Sequence, residues 1–325
     1  MKKYLKYVLI LAVTAFWTAC TEEHTLVVEP SDFNVTTSGT TFKVDERVNF
    51  NIVGDPDMVL FYSGELGSNY DNRVRIQQAG TPKLAFQVQM QQGALGNGDT
   101  MQLLIAQNLK NYDSTSILST TWTDITNRNT KWPKTLSTTF AVSDSIDLSA
   151  YNTAETVSLA FKVTGKKNAA TAQRKWAIQN LGITNVLSDG TSTPIANTFA
   201  AAGWIQLSIQ NFQRTWDVGT LNNSSFNAAK NTSGITIRSA YPITFDPSTT
   251  INTDDNEDWL ITSPINLKQV KPDAAIVVKN PSATTPSVYT YVFRKAGNYT
   301  VTFVGQNVKA NDKKEIIKQV QVVVQ

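Results

Sequence analysis

Leu84, Phe86, Val88 and Met90 alternate with Ala85, Gln87, Gln89 and Gln91, a period of two that predicts a strand with one apolar face. The same period recurs at Met101, Leu103 and Ile105 and at Val157, Leu159 and Phe161. Ile205, Leu207 and Ile209 alternate with Trp204, Gln206, Ser208 and Gln210, which places Trp204 on the amide face of its strand. Turn residues between these runs, at Gly93 to Asp99, Ser188-Asp189-Gly190 and Asp246-Pro247, suit antiparallel hairpins. Nearer the start, Phe33, Val35 and Thr37 alternate, then Val48, Phe50 and Ile52, before a turn at Gly54-Asp55-Pro56-Asp57 and the apolar run Met58 to Tyr62. Near the far end come Tyr289 to Phe293, then Tyr299, Val301 and Phe303 sharing a face, then Ile316 to Val322. The pattern predicts an all-β chain.

Three strands between residues 33 and 70 are too few to close a sandwich, and the missing partners lie at 269–325. The expected layout is one split sandwich, 33–70 with 269–325, interrupted by a second sandwich at 71–268. Insertion at a loop tip is physically tolerable. TYVFRKAGNYTVTFV resembles the closing strands of PKD-type immunoglobulin-like domains, where the glycine permits the tight turn. WTDIT, DLSAY, VSLAFKV and KWAIQNLGI resemble the galactose-binding-like jelly-rolls of bacterial surface lipoproteins. DPDMVLFYSGELG and EDWLITSPINL, with the TYVF segment, resemble an uncharacterised domain-of-unknown-function family encoded beside glycan importers. The resemblance speaks to architecture and transfers no site residue.

The leader MKKYLKYVLILAVTAFWTAC has a positive head, an apolar run from Tyr7 to Trp17 too short to span a bilayer, and small residues before Cys20. It resembles a bacterial lipoprotein signal (1–20), cut so that Cys20 carries the lipid; an ordinary secretory signal with an incidental cysteine is the alternative. A polar tether, 21–32, follows. Its Thr21-Glu22-Glu23-His24 resembles the export tag of surface lipoproteins in starch-utilisation-type glycan uptake systems. That resemblance implies an outer-membrane lipoprotein at the cell surface, touching the membrane through its lipid alone and serving a glycan importer.

Charge and composition then narrow the chemistry. The formal net charge of +3 includes the leader lysines Lys2, Lys3 and Lys6, so the remainder is near neutral and lacks the basic balance of a nucleic-acid binder. Cys20 is the only cysteine, which removes disulfides and thiolate metal sites. The single histidine, His24, stands in the tether, so histidine-based triads and zinc sites are excluded from the folded body. Carboxylate chemistry needs a matched pair. Glu155 and the acidic run Asp254-Asp255-Asn256-Glu257-Asp258 are what the inserted part offers a glycoside hydrolase, Glu155 and Asp258 being the residues to replace, and no spacing marks a matched acid and base. Asp254, Asp255, Glu257 and Asp258 form an acidic run with oxygen ligands for calcium, but without the spacing of a calcium loop; a solvated loop is the bland account. No other cofactor is implied.

Aromatic residues carry the remaining signal, because sugars stack their apolar faces on indoles while amides and charges bond the hydroxyls. Trp122, Trp176 and Trp259 sit among apolar neighbours and read as core. Trp132 follows the polar stretch Thr126-Asn127-Arg128-Asn129-Thr130-Lys131, and Trp216 stands between Thr215 and Asp217. Trp132, Trp204 and Trp216, with Asn127, Arg128 and Asp217 as polar partners, are the expected platform for a polysaccharide or oligosaccharide; packing of the indoles under their own loops is the competing reading. The expected function is non-catalytic glycan capture. An adhesion or assembly subunit would keep this fold but present an apolar patch or an open strand edge instead.

Overall fold

Alternating sequence becomes strand almost throughout. The computed structural model of the chain describes residues 29–30, 32–93, 100–167, 172–196, 202–211, 216–217, 242–247, 255–309 and 312–325. The leader, Cys20, the tether as far as residue 28, and Asp254 lie outside the described residues. The first strands are β1 (Asn34–Thr37), β2 (Thr41–Phe42), β3 (Arg47–Val53) and β4 (Met58–Tyr62). Then come β5 (Thr81–Gln92), β6 (Thr100–Gln107), β7 (Thr123–Asp124), β8 (Ala141–Val142), β9 (Ile146–Asp147) and β10 (Val157–Gly165). These are followed by β11 (Lys175–Val186), β12 (Ser192–Ala196), β13 (Trp204–Gln210), β14 (Trp216–Asp217), β15 (Ile243–Phe245) and β16 (Asn256–Thr262). The last four are β17 (Ile276–Lys279), β18 (Val288–Val292), β19 (Gly297–Lys309) and β20 (Asp312–Val324). One short helix, α1 (Ser114–Ser119), is capped by Asp113, whose carboxylate accepts from Ser116 N at 2.9 Å. Among the described residues no helix is long and apolar enough to cross a membrane.

The chain divides into two compact units, one made of residues up to Arg73 together with Asp273–Gln325, the other of Val74–Pro272. The split unit pairs sheet β1-β3-β18 with sheet β17-β4-β19-β20-β2. The inward positions of β3, β4 and β19 put Phe50, Phe61 and Phe303 together, with ring centroids 5.0–5.8 Å apart. Phe33 lies so close to β19 that a Cβ on Gly305 would sit 2.6 Å from its Cδ1, which is why that strand position carries glycine.

In the inserted unit, sheet β13-β16-β10-β6-β7 faces sheet β14-β15-β11-β5-β8, with β12 beside β11 and β9 beside β5. Leu84, Phe86, Val88 and Met90 of β5 meet Leu103, Ile105, Leu159 and Phe161 of the other sheet in one core. The five-stranded sheet is also covered on its other face. There Leu104, Ala160, Leu207, Trp259 and Ile261 pack with Ile117 of α1, and Trp122 lies against Trp259 at 5.3 Å. Burial on both faces explains why Val157 to Phe161 are all buried.

Candidate functional site

The double cover of that sheet overturns the expectation for Trp204. Its side of β13 faces the sandwich interior, where it is 1% exposed and its ring lies 6.1 Å from that of Phe161. The Leu207 side, which period-two reading takes for the core face, is the side that α1 covers. Trp216 is likewise interior, 0% exposed and 5.6 Å from Phe245. Neither indole can serve as a surface platform. Asp217 occupies β14 opposite Thr244, and its side chain is outside the described residues.

Trp132, Asn127 and Arg128 do share a loop, and that loop is firmly knitted. Asn129 is buried and its Oδ1 accepts from Lys131 N (3.2 Å) and Asp144 N (3.0 Å). Thr130 donates from N and Oγ1 to Asp144 at 2.6 and 2.7 Å, and those two bonds hold the Asp144 carboxyl below the usual carboxylate range. Trp132 is half-buried: its indole Nε1 donates to Thr126 O at 2.8 Å and its ring packs 5.6 Å from Phe86. Arg128 donates to Asp147 O at 2.9 Å and lies 5.6 Å over the Tyr151 ring, while Asn127 is exposed. The indole therefore anchors its loop to the core. Apolar cover for it came from Phe86 on a distant strand, which no local reading of the loop could supply.

The acidic run does not converge either. Asp255 accepts from Lys167 N at 2.7 Å and from Lys166 Nζ at 3.1 Å, and these bonds lower its pKa. Glu257 binds Lys162 (3.1 Å) and Trp259 Nε1 (3.0 Å) on one face of β16, whereas Asp258, 0% exposed, points to the other. Among the described residues no three His, Cys, Asp or Glu side chains are grouped to hold a metal. Glu155 and Asp258 are also apart. Glu155 is exposed just before β10, and Asp258 pairs with Val163 near its far end, about 20 Å away along the strand. A glycosidase pair needs roughly 5–9.5 Å.

What the fold does build is a cleft of about 570 Å³ in the inserted unit, lined by Ile76, Gln77, Thr193, Pro194, Asn266, Gln269, Val270, Lys271 and Pro272. Its frame is the pair of segments through which the chain enters and leaves this unit. Gln77 and Gln269 form an antiparallel bridge, flanked by Gln78 N to Lys268 O (2.7 Å) and Val270 N to Ile76 O (3.0 Å). From β11, the fully buried Asn185 ties both segments down, donating to Gln78 O at 2.9 Å and more weakly to Gln269 O at 3.4 Å. Gly80 makes that approach possible, since a Cβ there would lie 2.3 Å from Asn185 Oδ1. Apolar walls come from Ile76, Pro194, Val270 and Pro272. The Gln77 and Gln269 side chains are exposed and spend no hydrogen bond among the described residues, so each offers both a donor and an acceptor. Sequence reading missed these residues because it sought indoles in loops. Amides at the two ends of an insertion, Gln77-Gln78 and Gln269, were the available signal.

Residues 19–204 match the model of a family described as a domain of unknown function (DUF5017). The match covers more than half of the chain and runs through Arg73 and Val74, where one unit gives way to the other. No curated protein and no solved structure matches the chain.

Proposed function

From a chain that belongs to the DUF5017 family, a membership that carries no activity of its own, we propose a non-catalytic lipoprotein that captures a glycan at the cell surface. On this reading Cys20 holds it to the outer membrane, the split unit with its PKD-like closing strands is the spacer, and the inserted jelly-roll hands the glycan to an outer-membrane importer. The cleft carries the proposal. Its volume falls within the roughly 300–1,000 Å³ of ligand clefts, and it combines apolar walls with uncommitted amides. A pyranose needs just that combination, C–H faces against hydrocarbon and hydroxyls against groups that both give and accept.

A glycan array probed with the full-length chain in detergent tests the reading. A retained glycan should bind several-fold more weakly after Gln77→Ala or Gln269→Ala, since one net hydrogen bond is worth about 0.5–1.5 kcal/mol. An empty array, or variants that bind like the parent, would overturn it. Edge strand β17 favours a second reading as an assembly subunit, because Ile276 and Val277 there are 43% and 56% exposed. In that case Val277→Lys, and not the glutamine changes, would abolish partner capture.

A further inference from the structure

Charge around the cleft is one-sided. Lys271 is the only charged residue in the lining; no aspartate or glutamate joins it. Its side chain is exposed and makes no ion pair among the described residues. The carboxylate that feels Arg75 and the one that follows Pro272 are already answered. Asp189, in the turn before β12, accepts from Thr191 N (2.8 Å) and Oγ1 (2.6 Å) and feels the Arg75 charge, all of which lower its pKa. Asp273 belongs to the split unit, where it is buried and accepts from Asn69 N at 2.9 Å. Lys268 adds positive charge on one of the segments that frame the cleft, whereas Arg75, which donates to Gln78 Oε1, is offset by Asp189.

Resting on the glycan reading of this same cleft, we propose that its ligand is an acidic sugar, a uronate-bearing oligosaccharide, whose carboxylate is met by Lys271. The amides then read the hydroxyls while Lys271 discriminates charge. An ammonium beside a carboxylate makes a charge-assisted hydrogen bond, stronger than the neutral bonds the glutamines offer. Because Lys271 is exposed, its advantage is tempered by solvent and screened by salt. A preference of about two- to fivefold for the acid over its neutral methyl ester is expected at low salt.

Calorimetric titration of the full-length chain with oligogalacturonate and oligomannuronate, each beside its methyl ester, tests this. Both members of a pair present the same sugar and differ only in charge. For at least one pair the acid should bind about two- to fivefold more tightly. That preference should vanish in Lys271→Gln and in 1 M salt, while Gln269→Ala weakens acid and ester alike. Equal binding of acid and ester, with Gln269→Ala still weakening both, would overturn the charge assignment and leave glycan capture standing. Failure of both acids while neutral glycans are retained on the array would do the same. Failure of every glycan would instead remove the reading on which the proposal rests.

Discussion

Replacing Trp204 by alanine decides whether this indole is interior or a surface platform. The side chain is 1% exposed and packs on Phe161 in the core between the two sheets. An indole buries about 200 Å², worth about 5 kcal/mol at roughly 25 cal/mol per Å². Alanine keeps the Cβ, the walls relax in part, and the cavity left behind costs more, so the net loss should be about 3–5 kcal/mol. Tryptophan fluorescence during urea unfolding is a suitable readout, because every tryptophan except Trp17 lies in the inserted unit. With a slope of about 3 kcal/mol per M, the midpoint should drop by about 1–1.7 M. Should the alanine variant not fold at all, Trp204→Phe keeps a ring against Phe161 and should lower the midpoint by a smaller, measurable step. A midpoint moved by less than about 0.3 M in the alanine variant would refute the packing described above.

Three further outcomes follow from the geometry. Gly305→Ala drives a methyl against the fully buried Phe33 ring and should destabilise the split unit by about 1–3 kcal/mol; Gly182→Ala, whose nearest atom would be 3.6 Å away, should change the melt of the inserted unit little, and equal effects would discredit the close-approach argument. Burial, then the 2.5 Å hydrogen bond to Glu65, pushes the Tyr291 hydroxyl up to about 12. The folded form holds that proton more tightly than the unfolded one, so its contribution is intact below pH 10 and is lost as pH rises from 10 towards 12; far-ultraviolet dichroism melts should show this decline, and Tyr291→Phe should flatten it. Cys20→Ala should release the protein from the membrane fraction on immunoblotting, and continued retention would contradict the lipid anchor.

Strand identity was legible wherever one face of a strand is solvated. The runs at Leu84 to Met90 and Val48 to Ile52 became β5 and β3 with the expected faces inward. It failed at β13, where α1 covers the outer side and leaves apolar residues on both. Period two then signals a strand without saying which face lies between the sheets. The site was less legible still. Trp132 and Trp216 stand in polar sequence, yet Phe86 and Phe245, far away along the chain, supply cover that half-buries the first and is part of what buries the second. Gln77 and Gln269 look like ordinary linker residues until the bridge between them brings both ends of the insertion to one place.

That bridge, and the bond from Asp273 N to Asn72 O at 3.2 Å, bear on the order in which the protein matures. Residues 74–272 are continuous and can complete their own core as soon as they have been synthesised. Strand β4 cannot, because Phe61 waits for Phe303, which the ribosome delivers only after the whole insertion. Through that interval the aromatic half-core of the first strands stays unburied, a long-range closure that is slow and open to aggregation. Any message truncated before β19 therefore yields a finished inserted unit and an unfinished split unit.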